Sequence, residues 1–97
     1  MTLKTKPFDP ANYLKTDTAR ATYMNEALET GDPAFIADAV GVLARARGMS
    51  KIAKDTGLSR ESLYRALSSG GNPEFSTMLR VMAALHLKFK AAPGGRH

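Results

Sequence analysis

The stretch "MSKIAKDTGLSRESLYRALSSGGNPEF", residues 49–75, constrains the fold more than any other, because it sets two short apolar-patterned pieces around one glycine. Ser50 reads as the cap of a helix over Lys51 to Thr56, and Ser59 as the cap of a second helix reaching about Leu67. Gly57 between them supplies the backbone freedom for a sharp turn. Ala53 is small where the second helix crosses above it, and Ile52, Leu58, Leu63 and Leu67 point inward to lock the pair at a steep angle. Small residue, turn glycine and aliphatics fall in register, and together they predict a helix-turn-helix over residues 50–67.

The rest of the chain reads mostly as helix. "TDTARATYMNEALETG" puts Ala19, Tyr23 and Ala27 on one stripe with Met24 and Leu28, capped by Thr16 or Asp17. "GDPAFIADAVGVLARARG" carries Asp32 as cap, Pro33 at the first helical position, an Ile36, Val40, Leu43 stripe beside Phe35 and Ala39, and Gly48 as the stop. Phe75, Leu79, Met82 and Leu85 give a last helix that begins at Asn72-Pro73 or at Ser76. Only "LKFKA" alternates, with Leu87 and Phe89 on one side and Lys88 and Lys90 on the other, which predicts a short strand. The expectation is an all-α fold of five helices with one short C-terminal β-strand. Residues 1–15 form an arm that Phe8 and Tyr13 can anchor, residues 16–92 the domain, and residues 93–97 a tail.

At 97 residues and 43% hydrophobic content, the chain suits one small core. It has no cysteine, which removes disulfides and thiolate metal sites and fits a reducing compartment. No stretch resembles a signal peptide or approaches a membrane span, so the expected location is cytoplasmic.

Charge separates the two halves. In residues 1–48, Lys4, Lys6, Lys15, Arg20, Arg45 and Arg47 are balanced by Asp9, Asp17, Glu26, Glu29, Asp32 and Asp38, so the whole net charge of +5 lies in residues 49–97. A basic half of this kind points to a polyanion partner, with a membrane surface the weaker option because no helix there pairs a bulky apolar face with a basic one. The second helix of the pair leaves Arg60, Glu61, Tyr64 and Arg65 outward, with Ser59 and Ser62 near its start, which are the groups a recognition helix offers to a major groove. Arg60 opposes the helix dipole, so an outside anion explains it better than helix stability does. Lys51 and Lys54 on the preceding helix are placed to hold phosphates. Arg45 and Arg47 are already explained by their place at a helix C-terminus, Tyr64 stands between phosphate contact and packing, and Glu61 suits its first helical turn better than a base edge.

Catalysis finds no foothold in the residues. There is no Cys, His97 lies in the tail, His86 has no ligand at metal spacing, and no carboxylate pair or phosphate-cradling glycine loop is present, so neither enzyme activity nor a cofactor is expected.

From "FDPANYL" and onward through "ARARGMSKIA", "TGLSRESLYRALS" and "GNPEFST" to "ALHLKF", the chain resembles the HigA-like antitoxins, a probable addiction-module antidote family with an Xre-type DNA-binding domain. The resemblance implies a five-helix domain of the lambda-repressor kind, a homodimer on a palindromic operator in double-stranded DNA, autorepression of an operon, and neutralisation of a RelE/ParE-type toxin. A stand-alone phage-type repressor without a toxin is the competing reading. His86 departs from the family, which usually has glycine there. Because such toxins are typically basic, Glu26, Glu29, Asp32 and Asp38, an acidic run with no intervening base, are the expected toxin contacts. A lone strand needs a partner for its N–H and C=O groups, so Leu87 and Phe89 are expected at a two-stranded dimer contact, unless the segment pairs with the N-terminal arm of its own chain or stays irregular.

Overall fold

The computed structural model describes residues 14–68, 70 and 72–94, and over that range five helices follow one another. They are α1 (Asp17–Glu29), α2 (Pro33–Arg47), α3 (Met49–Thr56), α4 (Arg60–Ala66) and α5 (Phe75–Ala84). The expected anchors Phe8 and Tyr13 and the end of the tail lie outside the described residues. Leu14, the first residue described, is buried in the core.

The helix starts follow their caps. Thr16 caps α1, its hydroxyl accepting from the Ala19 N–H at 3.0 Å, and Asp32 caps α2, accepting from Ala34 N–H at 3.0 Å with Pro33 next in line. Ser50 does not cap α3. Gly48, at φ 110, both ends α2 and precedes α3, so Ser50 falls inside the first turn with an exposed side chain and Ile52 N–H donates to the Gly48 carbonyl at 3.0 Å. The N-cap position of α3 is Gly48 itself, which has no side chain to offer.

α2 is the hub: α1, α3 and α5 pack on it, α5 also packs on α3, and α4 rests mainly on α3. Val40, Leu43, Ile52, Leu63, Leu67, Val81 and Leu85 are fully buried where these helices meet. Burying each such side chain contributes about 1.5–3 kcal/mol against the chain's conformational entropy. The α5 stripe is turned from the one expected. Met78, Val81, Met82 and Leu85 face the core, while Phe75 is 67% and Leu79 43% exposed. Two stripes at helical spacing run along this apolar helix, and contact with both α2 and α3 selects the inner one.

Among the described residues there is no strand. After α5 the chain turns at His86 and runs without regular structure from Leu87 to Gly94. The alternation survives, with Leu87 and Phe89 half-buried and Lys88 and Lys90 exposed, but no segment among the described residues offers a ladder, and alternation alone does not make a strand. Phe89 instead meets Phe75 at 5.8 Å between ring centroids.

The turn itself is a Schellman-type stop: His86 N–H donates to the Ala83 carbonyl at 3.0 Å and Leu87 N–H to the Met82 carbonyl at 2.9 Å. It requires the left-handed φ of 64 at His86. Holding an L side chain there costs about 1–2 kcal/mol, part of which glycine returns through its looser unfolded chain. His86→Gly should therefore raise stability by about 0.5–1 kcal/mol, read as a rise of a few degrees in the thermal midpoint; no rise would mean that the His86 side chain compensates its backbone.

Candidate functional site

α3 and α4 are joined by Gly57, Leu58 and Ser59. Gly57 adopts φ 80, its N–H donating to the Ala53 carbonyl at 2.9 Å. The buried Thr56 fixes the corner from below, its hydroxyl donating to the Ile52 carbonyl at 2.8 Å and accepting from Leu58 N–H at 3.2 Å. Ser59 caps α4 by accepting from Ser62 N–H at 2.9 Å, and its hydroxyl also donates to that of Ser62 at 2.9 Å. Both serine side chains are thus committed to holding the start of α4.

With the corner fixed and Leu63 and Leu67 buried, the outer face of α4 is set. Arg60, Glu61, Tyr64 and Arg65 are exposed and Ser62 is half-buried. The Arg60 guanidinium lies 5.9 Å from the Tyr64 ring centroid, a cation–π contact that stiffens both side chains across one helical turn. Neither Arg60 nor Arg65 has a carboxylate partner among the described residues. Lys51 is exposed and faces Asp55 at 3.9 Å, whereas Lys54, also exposed, has no acid partner there. Lys54 is therefore the freer of the two to meet a phosphate.

A further cation belongs to this face and was not singled out from the sequence. Arg80, the sole charge within α5, lays its guanidinium against the turn, with Nη2 3.8 Å from where a Cβ on Gly57 would stand. Its isolation in an apolar helix was the available signal. Arg20 is the other surprise. It is 5% exposed, donates to the Leu14 carbonyl at 3.2 Å and pairs with Asp17, whose carboxylate also lies 3.7 Å from His86 Nδ1. This cluster ties the entry of α1 to the exit of α5 and is structural.

The four acids expected to meet a toxin lie elsewhere. Glu26 and Glu29 are exposed on α1, Asp32 caps α2 and Asp38 is exposed further along it; none forms an ion pair among the described residues. Leu87 and Phe89 pack inward against the core instead of lining a strand.

Over the described residues the fold is that of a small helical domain whose α3–α4 corner presents cations without an acid partner there and whose α1–α2 side presents acids without a basic one. The chain belongs to the family of probable addiction module antidote proteins, whose family model matches residues 4–93. An uncharacterized protein of Haemophilus influenzae (strain Rd) is similar to it at 48% identity over 90 residues, covering 93% of this chain and 93% of that protein. No solved structure matches. An antidote family implies a toxin partner of some kind, and no helix among the described residues is long and apolar enough to cross a membrane.

Proposed function

We propose that this chain is a cytoplasmic antitoxin of the Xre helix-turn-helix kind. It binds its own operator in double-stranded DNA through α3 and α4, represses its operon as a dimer, and neutralises a RelE/ParE-type toxin. It works by binding alone, without catalysis or cofactor. The observation that carries the reading is the outer face of α4, where Arg60 and Arg65 stand exposed without a carboxylate while Leu63 and Leu67 are buried behind them. Arg60 stands in the first turn, where a cation costs a few tenths of a kcal/mol against the helix dipole, and a guanine edge or a phosphate offsets that cost. Lys54 and Arg80 then hold the DNA backbone on either side of the Gly57 turn. The dimer contact falls to the exposed apolar side of α5 at Leu79. Two copies about a twofold axis then present two α4 helices to a palindrome.

The two roles separate experimentally. Arg60→Ala should lose about 1–3 kcal/mol of discrimination between operator and scrambled duplex, whereas Lys54→Ala should weaken binding to both duplexes about equally and flatten the salt dependence by about one charge. Titrations of both duplexes at several salt concentrations decide it. Unchanged operator affinity in Arg60→Ala would remove α4 from the interface.

A further inference from the structure

A groove of about 300 Å³ opens on the side of the molecule formed by the end of α1, the start of α2 and the start of α5. Leu28, Ile36, Ala37, Phe75, Met78 and Phe89 line it, and its walls are nearly all carbon. Its neighbours in sequence are acidic. Glu29 follows Leu28, Asp32 precedes the lining Pro33, Asp38 follows Ala37 and Glu74 precedes Phe75; all four are exposed and none is in an ion pair among the described residues. From Ala21 to Ala44 the chain has no lysine or arginine. The cations beside a lining residue are Lys88 and Lys90, which flank Phe89.

We infer that this groove receives a basic segment of the toxin, one that seats apolar side chains between Ile36, Phe75 and Phe89 while its lysines or arginines meet the acidic rim. The inference rests on the antidote reading and adds the place and chemistry of the contact. An apolar floor with a charged rim is how an amphipathic helix is held in a groove, the apolar anchors supplying affinity and the rim supplying orientation and rate. Charge decides among the occupants. DNA is repelled by the acids. A second copy meeting this face about a twofold axis would bring the same patch against itself, acid to acid. A basic partner gains from the exposed carboxylates that adjoin the lining residues in sequence, with Lys88 and Lys90 the opposing charges.

The test uses the full chain and the purified toxin encoded beside it, with affinity measured by calorimetry. Phe75 is exposed but meets Phe89, so Phe75→Glu should lower the thermal midpoint by no more than a few degrees while weakening the toxin about tenfold or more. The double reversal Glu29→Lys with Asp38→Lys should weaken it by a similar factor and remove most of its salt dependence. Toxin affinities within twofold of wild type in both variants would overturn the groove as the site. So would a change confined to the mass in solution, which would assign the groove to a second copy, or one confined to proteolysis of residues 1–13, which would assign it to the chain's own N-terminus. If the wild-type chain itself fails to bind the toxin, the antitoxin reading falls, whatever the groove does.

Discussion

Valine at Gly41 is expected to cost the fold about 3 kcal/mol and to carry the proposed DNA binding away with it. Gly41 is buried in the middle of α2, where glycine is about 1 kcal/mol worse than alanine, so helix propensity does not explain it. The reason lies across the interface: a Cβ at this position would stand 2.6 Å from the carbonyl oxygen of Leu67. That oxygen belongs to the backbone at the C-terminal end of α4 and cannot rotate aside as a side chain would. The end of α4 has to move off α2, and Leu67, fully buried there, moves with it. Overpacking a tight contact costs about 1–3 kcal/mol, and valine adds the volume of two further methyl groups and a poor helix preference. Alanine recovers propensity and should cost only about 1 kcal/mol. For a domain of this size the valine variant should melt roughly 12–20 °C lower, and its surviving folded fraction should bind duplex weakly because α4 is tilted. A loss below 1 kcal/mol for valine would show that α4 is free to shift without harm.

Gly41 also shows where sequence reading stops. The turn at Gly57, the cap at Ser59 and the inward Ile52, Leu63 and Leu67 were legible because each is fixed by contacts a few residues away, and local spacing encodes those. The close approach of Gly41 to Leu67 joins residues far apart in the chain, and nothing beside Gly41 in sequence marks it. The same limit misled the reading of α5. Phe75 and Leu79 share a stripe with Met82, yet the packing of α2 and α3 turned Met78 and Val81 inward and left the aromatic outside. The strand at Leu87 to Ala91 was inferred from period-two alternation, which reports that one side of a segment is covered, and here the cover is core side chains and Phe75 instead of a neighbouring strand. On the basic face, Arg60, Arg65 and Lys54 stand outward as their helical positions required, whereas Arg80 reaches the same face from another helix and could be placed only by the tertiary fold. The acids from Glu26 to Asp38 were visible as a run, but the apolar groove is assembled from α1, α2, α5 and Phe89 and has no image in any one stretch.

Leu63→Ala is expected to have the largest effect of any truncation on the proposed recognition helix, about 2–5 kcal/mol of stability. The residue has no exposed surface, and it lies on α4, a helix of seven residues. A helix that short is not stable alone in water, so its form depends on what it packs against. Removing the Leu63 side chain leaves a cavity between α4 and α3, the helix on which α4 mainly rests, and the loss falls on the one element whose outer face carries Arg60 and Arg65. Against a total of about 5–15 kcal/mol for a domain, that loss leaves a measurable unfolded fraction at physiological temperature. Its neighbour makes the control. Tyr64 is 45% exposed and touches Arg60, so Tyr64→Ala should change stability by no more than about 0.5–1 kcal/mol while still weakening duplex binding. Denaturant unfolding and duplex titration on the two variants should therefore rank them in opposite ways. Leu63→Ala loses binding in proportion to its unfolded fraction and recovers it on cooling. Tyr64→Ala loses binding with the fold intact. A Leu63→Ala protein as stable as wild type would mean that α4 closes over the cavity, and the burial of Leu63 would then no longer account for the placement of Arg60 and Arg65.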